Sequence, residues 1–255
     1  MGCHIVTDLD GTWLPAPTQR EDSRRLERAV LDRSDIVLTF ATGRTYTVAL
    51  EAIDQWELRT PHHLITDVGT ALFHRAPGGG WREDARWTER VLSVWDEQAA
   101  ETFLAHHLPA SVCAQPGVLP IRRLALQRAN GADMAVAGAE LSRACEEAGL
   151  RVDVLPSHDL YFDVLPRGIH KGAALAFLQA SLDLPRPVVG CGDSANDLGL
   201  FEAADHPVLM KGGLEDSELP PEVRSRAIRT PVPGPRGIHL ALIACGLLEE
   251  DDHGH

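Results

Sequence analysis

Two aspartates, Asp8 and Asp10, stand two residues apart in the segment DLDGT near the start of the chain. An apolar run ends at Thr7, so both carboxylates come at the carboxyl end of a predicted strand and can point the same way. Two carboxylates directed at one point suit a hard cation such as Mg²⁺, and Gly11 permits a sharp exit of the chain. A loop with two solvated aspartates is the commoner meaning of DxD, but the four fixed positions of DxDGT favour a catalytic interpretation.

A second polar segment, ATGR at 41–44, follows another apolar run. The Thr42 hydroxyl and the backbone N–H groups around Gly43 can bind a phosphate oxygen at the start of the next predicted helix, and Arg44 adds a planar donor. By itself the segment fits a helix N-cap at Thr42 with a solvated arginine equally well.

A lysine, Lys171, lies in the first turn of a predicted helix in the segment RGIHKGAAL. A cation there interacts unfavourably with the helix dipole, and a negatively charged partner would offset this cost. Beside a phosphate and several carboxylates it would be the fixed positive charge that stabilises a transferring group. Without that context a solvated lysine is the simpler interpretation.

A second acidic segment, GCGDSAND at 190–197, follows the apolar run PVV. Asp193 comes at a predicted strand end and Asp197 four residues later, so one can bind a metal while the other holds that ligand or a metal-bound water. Asn196 can contact a substrate or hold the loop. An acidic loop without a metal is the alternative.

The elements that must position these segments are short apolar runs separated by helical patterns. Runs rich in β-branched residues predict buried strands of a parallel sheet at 4–7, 36–40, 64–66, 188–191 and 207–210. Apolar residues at helical spacing in 26–33 and 174–181 predict helices between them. The expected fold class is α/β, a Rossmann-like doubly wound parallel sheet.

The stretch 77–159 differs in character and predicts an inserted α/β cap, with a catalytic core at 1–76 and 160–255. We expect one helix at 87–107, another around 139–148, and strands at RRLAL and RVDVL. The cap should lie over the carboxyl ends of the core strands, where reactive loops of such sheets are found. The tail EEDDHGH is too polar to pack and should fray.

Composition limits the partners. Lys and Arg number 24 against 37 Asp and Glu, and this net charge of −13 argues against nucleic acid or an anionic membrane as the main partner. The five cysteines lack zinc-type spacing, and no secretory or membrane-spanning segment is found. We therefore expect free thiols and a cytoplasmic protein, either a monomer or a weak homodimer.

Taken in the order DxDGT, TGR, K and GDSxND, the four segments resemble the haloacid dehalogenase superfamily of phosphatases. The insertion between the second and third segments is similar to the subgroup with a large α/β cap at that place, subclass IIB. Three further stretches look most like sucrose-phosphate phosphatases: DLDGTW, ITDVGT at 65–70, and DVLPRGIHKGAALAFL at 163–178. The cap itself matches them poorly, so the identity of the sugar stays open.

The resemblance implies a mechanism and a cofactor. Asp8 would be the nucleophile that forms an aspartyl-phosphate, and Asp10 the general acid and base. It also implies Mg²⁺ held by Asp8, Asp10 through its carbonyl, Asp193 and Asp197. The expected contacts to a small-molecule sugar phosphate are Thr42, Gly43, Arg44, Lys171, Asn196 and Arg123.

Sucrose 6-phosphate is the expected substrate, and other glycosyl or disaccharide phosphates and a phosphomutase are the alternatives. A sensor without chemistry is disfavoured because every expected charged position is filled. The segments GxxxxGK[ST] and GxSxG are absent, which argues against a nucleotide-binding module and a serine hydrolase. Trp81, Trp87 or Trp95 would shape the sugar site or, as the preferred interpretation, fill the cap core. We expect the histidine pairs 62–63 and 106–107 at surface or loop positions.

Overall fold

In the computed structural model, which describes residues 2–14, 16–157 and 159–249, the chain forms two sheets flanked by helices. The strands are β1 (Cys3–Thr7), β2 (Ile36–Ala41), β3 (His63–Thr66), β4 (Ala71–Arg75), β5 (Trp81–Glu83), β6 (Val112–Ala114), β7 (Leu124–Arg128), β8 (Val152–Ser157), β9 (Tyr161–Pro166), β10 (Val188–Gly192), β11 (His206–Leu209) and β12 (Ile228–Arg229). The helices are α1 (Arg20–Leu31), α2 (Tyr46–Gln55), α3 (Ala85–Leu92), α4 (Glu97–His106), α5 (Met134–Glu147), α6 (Lys171–Ser181), α7 (Leu198–Ala203), α8 (Pro221–Arg224) and α9 (Gly234–Ala244).

The larger sheet has eight strands in the order β12-β11-β10-β1-β2-β3-β4-β5. The strands from β12 to β3 pair in parallel, and β4 and β5 add an antiparallel edge. The five strands predicted from apolar runs are all present, with ends shifted by no more than one residue. The predicted α/β class with a parallel sheet is confirmed.

Helices cover both faces of this sheet because its central strands are buried on both sides. On β1 the side chain of Ile5 packs into one apolar cluster with α1, α2 and α9, whereas its neighbour Val6 packs into another with α6 and α7. Consecutive side chains of a strand point to opposite faces, so a continuous apolar run requires two covering layers. The sheet is thereby held as a rigid platform for the loops at its carboxyl edge.

The smaller sheet is antiparallel, with the strand order β6-β7-β9-β8, and α4 and α5 pack on it. Its membership differs from the predicted limits of 77–159. β5, inside those limits, pairs with β4 of the large sheet, whereas β9, outside them, is a central strand of the cap. Backbone pairing therefore decides where the cap begins and ends, and the change of composition at 77 does not coincide with it.

The predicted single helix at 87–107 is two helices. α3 ends at Leu92, α4 begins at Glu97, and Asp96 is the N-cap of α4, its carboxylate accepting a hydrogen bond from the Ala99 N–H at 3.0 Å. An N-cap aspartate satisfies donors that only a new helix leaves unpaired. In the described part of the chain, each helix is too short or too polar to cross a lipid bilayer. The predicted frayed tail lies outside the described residues from 250 onward.

Candidate active site

The polar segments predicted from the sequence meet at the carboxyl edge of the large sheet. Asp8 follows β1, Thr42 follows β2, and Asp193 follows β10. These strands are neighbours in the order β10-β1-β2 and run in parallel, so their ends open on one spot. The fold therefore brings together residues that are up to 185 positions apart (193 − 8).

Lys171, the first residue of α6, is the centre of this group and is fully buried. Its Nζ donates hydrogen bonds to Asp8 Oδ1 at 2.8 Å, to Asp197 Oδ1 at 2.7 Å and to Asn196 Oδ1 at 2.8 Å. Burial alone would lower the pKa of Lys171, but the carboxylates of Asp197 and Asp8 raise it above its ordinary value. The lysine is therefore a permanent cation beside Asp8. The negative charge of Asp8 offsets the unfavourable interaction of the lysine with the helix dipole.

Asp197 holds the loop that carries Asp193. Its second oxygen, Oδ2, accepts from the backbone N–H groups of Asp193 and Ser194, each at 3.1 Å, while Oδ1 binds Lys171. A fully buried carboxylate with three donors is an ordered support for its neighbours. Asp197 is thus the support of the loop, and the expected role of Asp193 as a metal ligand stays a prediction.

Three carboxylates, those of Asp8, Asp193 and Asp197, each offer an oxygen within 4.8 Å of the others. Burial raises the pKa of Asp8, the lysine opposes this rise, and the charge of Asp197 adds to it. Three carboxylates against one lysine leave a local excess of negative charge, and hard oxygen donors are what Mg²⁺ takes. The donor set fits a divalent cation. The Asp10 carboxylate is not part of this group, and the expected contribution of Asp10 through its backbone carbonyl stays a prediction.

Gly11 leaves room for Asp193. Its φ is +70°, and a Cβ at this position would lie 2.3 Å from Asp193 Oδ2. We predict that Gly11→Ala destabilises the protein by more than the strain of a left-handed alanine, about 1–2 kcal/mol, because Asp193 must also move. Gly80→Ala is the control, since Gly80 has a φ of +75° and open space around its Cα.

Urea denaturation of the two variants separates these effects. Gly80→Ala should lose only the stability that the strain costs. Gly11→Ala should lose more stability and, if the acidic cluster binds Mg²⁺, also bind the cation more weakly. Equal losses of stability in both variants, with equal Mg²⁺ binding, would contradict the close contact with Asp193.

The loop after β2 is held on several sides. Thr42 is fully buried, its hydroxyl oxygen accepts from the Arg44 N–H at 3.1 Å, and its own N–H donates to the Ile65 carbonyl at 2.8 Å. The Arg44 guanidinium forms a two-pronged ion pair with Asp10, with both N–O distances at 2.7 Å. The predicted general acid is thus held by the predicted phosphate-binding loop.

A cleft of about 450 Å³ lies between this edge and the cap. The core contributes Asp8, Asp10, Arg44 and Asn196 to its walls, and the cap contributes Gln115, Ser157, Tyr161, Asp163 and the apolar Val118 and Leu119. Sequence reasoning did not assign roles to these cap residues. The signal for two of them is the alternation along β9, which places Tyr161 and Asp163 on one face of the strand.

Arg123 lines the cleft but is engaged by the protein itself. It is 5% exposed, and its guanidinium donates to Asp163, to Asp67 Oδ1 at 3.4 Å and to the Gly43 carbonyl at 3.0 Å. Arg122 instead contacts Glu83 at 2.7 Å and the Thr70 carbonyl at 3.3 Å. Both arginines therefore connect the cap to the core.

The three tryptophans considered for the sugar site have structural roles. Trp87 and Trp95 are buried in the apolar cluster shared by core and cap, and Trp81 packs against the other cluster. Trp87 also donates from Nε1 to the Gly69 carbonyl at 3.0 Å. The core interpretation is confirmed for Trp87 and Trp95, whereas Trp81 lies on β5 and packs on the large sheet, outside the cap. Among the described residues that line the cleft there is no tryptophan.

One histidine expected at a surface position is buried. His63 belongs to β3, and its Nδ1 lies 2.9 Å from Nδ1 of His74, the residue opposite it on β4. His74 in turn contacts Asp84 at 2.8 Å. His62, His106 and His107 are exposed, as expected. The prediction was wrong for His63 because the apolar run that marks β3 starts one residue after it.

Comparison with known proteins identifies the family of this chain. A model of the family described as sucrose-6F-phosphate phosphohydrolase matches residues 2–219. A probable sucrose-phosphatase from Arabidopsis thaliana is 32% identical over 224 residues, which cover 83% of this chain and 51% of that protein. The chain thus spans about half the length of the curated relatives it matches.

Solved structures show the same relationship. The X-ray structure of the sucrose-phosphatase from Synechocystis sp. PCC6803, in complex with sucrose and phosphate, has a TM-score of 0.78 and 26% identity, covering 96% of this chain and 98% of that one. A haloacid dehalogenase-like hydrolase from Bacillus subtilis, 18% identical, shares the fold with a TM-score of 0.67 and coverage of 96% and 92%. With its fold, its ordered motifs and this family match, the chain belongs to the sucrose-6F-phosphate phosphohydrolase family of the haloacid dehalogenase superfamily.

Proposed function

We propose that this protein is a Mg²⁺-dependent phosphatase that hydrolyses sucrose 6-phosphate to sucrose and inorganic phosphate through an aspartyl-phosphate on Asp8. The observation that carries the proposal is the buried Asp8 carboxylate, held 2.8 Å from Lys171 Nζ at the floor of the cleft. A carboxylate nucleophile and a phosphate dianion repel each other, so attack requires a nearby positive charge. The Lys171 ammonium supplies a fixed one beside Asp8. The family match and the sugar-filled Synechocystis relative support sucrose 6-phosphate as the substrate.

The residues of the chain divide the reaction into two displacements. An oxygen of Asp8 attacks phosphorus while the bond from phosphorus to the sugar oxygen breaks, and Asp10 gives that oxygen a proton. Asp10 then takes a proton from the water that cleaves the acyl-phosphate, which releases phosphate and restores Asp8. Arg44, paired with Asp10 in this structure, must loosen its hold during the proton transfer.

Lys171 and Thr42 stabilise the charge on the transferring group. The lysine presents a fixed ammonium, and the Thr42 hydroxyl can donate to an equatorial oxygen because its own oxygen already accepts from Arg44. Asp8, Asp193 and the Asp10 carbonyl would hold the Mg²⁺, with Asp197 as support. When bound, the cation supplies Lewis-acid neutralisation of the phosphate charge.

The cap wall would receive the leaving sugar. Gln115, Ser157 and Tyr161 offer hydroxyl and amide groups of the kind that hydrogen-bond saccharide hydroxyls. The five free cysteines are consistent with a reducing compartment, and we place the enzyme in the cytoplasm on that ground.

A panel of phosphorylated disaccharides and monosaccharides, assayed for phosphate release with Mg²⁺, tests this function. We expect sucrose 6-phosphate to be hydrolysed with the highest kcat/KM. Chelation with EDTA should abolish turnover, and added Mg²⁺ should restore it, because the carboxylate cluster repels the phosphate without a cation. Phosphate release without an added sugar bisphosphate would separate hydrolysis from a mutase reaction. Turnover that persists unchanged in EDTA would contradict the metal requirement.

A further inference from the structure

We propose that Arg123 is a positioning residue, which transmits the docking of the cap to the phosphate-binding hydroxyl of Thr42. The inference rests on the proposed binding of the substrate phosphate at Thr42. It differs from the expectation that Arg123 contacts the sugar. The argument depends on where each nitrogen of the guanidinium is engaged.

All three nitrogens of the Arg123 guanidinium have protein acceptors. Nη1 donates to Asp163 on the adjacent cap strand β9, Nε to Asp67 Oδ1 after β3 of the core, and Nη2 to the Gly43 carbonyl. The arginine therefore joins the cap sheet, the turn after β3 and the loop after β2. The planar guanidinium fork directs its donors along fixed directions, so it can bind three separate acceptors at once.

The contact with Gly43 orients one particular peptide group. The carbonyl of Gly43 and the N–H of Arg44 belong to the same peptide unit, and in a trans unit they point in opposite directions. Arg123 binds the carbonyl end at 3.0 Å, and the N–H end donates to Thr42 Oγ1 at 3.1 Å. Because that oxygen accepts the amide proton, the hydroxyl proton is left to donate to a phosphate oxygen.

Asp67 also connects the cap to the phosphate-binding loop. Its N–H donates to the Arg44 carbonyl at 2.8 Å, and the next N–H, of Val68, donates to the Thr42 carbonyl at 3.1 Å. Its side chain meanwhile accepts from the Ile121 N–H at 3.1 Å and from Arg123. The backbone of Asp67 thus holds the phosphate-binding loop while its carboxylate holds the cap.

The backbone and the charges of this turn make the arrangement dependent on Arg123. Asp67 and Val68 have φ values of +51° and +57°, a conformation that non-glycine residues adopt only when their surroundings enforce it. Asp67 is fully buried; burial raises the pKa of its carboxyl, and Arg123 lowers it. Without the arginine, the buried Asp67 carboxylate would lack its counter-charge. The contacts that enforce the strained backbone of the turn would then be weakened.

The test compares Arg123→Met and Arg123→Lys with the wild type and with Thr42→Ala. The readouts are the Kd for inorganic phosphate in the presence of Mg²⁺, by titration calorimetry, and kcat/KM for sucrose 6-phosphate and for phenyl phosphate. We expect both Arg123 variants to bind phosphate roughly tenfold to hundredfold more weakly, as loss of one aligned hydrogen bond to a charged group predicts. Arg123→Lys keeps the buried charge, so it carries the test if Arg123→Met does not fold.

Two comparisons distinguish positioning from other roles. If Arg123 acts through Thr42, adding Arg123→Met to Thr42→Ala should change phosphate binding by less than twofold, since the effects of residues acting as a unit are not additive. The loss should also be equal for phenyl phosphate, which has no sugar. Additive effects, a loss confined to the sugar substrate, or variants that bind phosphate like the wild type would overturn the inference.

Arg128→Met is the matched control. Arg128 is the last residue of β7, the strand that begins directly after Arg123, and its guanidinium donates to the carbonyls of Asp159 and Ala132 within the cap, each at 2.9 Å. This variant should bind phosphate normally. Failure of the proposed function would be recognised separately, as a wild type that binds phosphate but releases none from any ester.

Discussion

Asp8→Asn is expected to lower kcat by about 10⁴-fold or more while leaving the protein folded, because an amide cannot form the aspartyl-phosphate. The substitution keeps the volume of the side chain, and the amide oxygen can still accept from Lys171 Nζ. It also removes one of three neighbouring carboxylate charges. Without metal, its melting temperature should therefore equal or exceed that of the wild type, because repulsion within the acidic cluster is relieved.

Phosphate release and thermal melting, each with and without Mg²⁺, check this prediction. The stabilisation that Mg²⁺ confers on the wild type should be smaller in Asp8→Asn, since the metal loses a charged ligand. Asp54→Asn, an exposed aspartate on α2, is the control and should leave both measurements unchanged. Retained turnover in Asp8→Asn would exclude Asp8 as the nucleophile.

Lys171→Met is expected to destabilise the protein, in contrast to Asp8→Asn. The ammonium is fully buried and binds Asp8 and Asp197, so its removal leaves buried carboxylates without a cation. Breaking a buried ion pair by deleting one partner costs about 3–5 kcal/mol of unfolding free energy. Turnover should also fall by roughly 10²–10³-fold, because the transferring phosphoryl group loses its fixed positive charge.

The chain supplies a matched control, since its sequence contains one other lysine, Lys211, which is exposed. Lys211→Met should match the wild type in urea denaturation and in phosphate release. Mg²⁺ should restore part of the stability of Lys171→Met, because a divalent cation replaces some of the lost charge, but it should not restore the rate. A Lys171→Met protein as stable as the wild type in EDTA would show that the carboxylates do not depend on the lysine.

The four motif segments could be located from the sequence because each has a local signature. Asp8, Thr42 and Asp193 each follow a short apolar run, and Lys171 begins a helix with apolar residues at helical spacing. A parallel sheet requires that such strand ends share one edge, so their proximity follows from the fold class alone. The family resemblance then assigned their roles.

The cap was less predictable, and β9 shows why. Its sequence YFDVLP runs directly toward the lysine helix of the core, yet it pairs with β7 and β8 in the cap sheet. Strand pairing in an antiparallel sheet depends on which partners are available, and local composition does not record it. The expectation of one long helix at 87–107 was wrong for a local reason, because Asp96 caps a second helix that begins at Glu97.

The sequence by itself determined which residues are candidates for the proposed chemistry, those of DLDGT, TGR, Lys171 and GDSAND. Local hydrophobic patterning places each of them at a strand end or a helix start. Only the tertiary structure decided the partners of Arg123. Its acceptors Gly43, Asp67 and Asp163 lie 80, 56 and 40 positions away along the chain. No local pattern connects such residues. The role of a buried arginine depends on the carboxylates and carbonyls that folding brings within hydrogen-bonding distance.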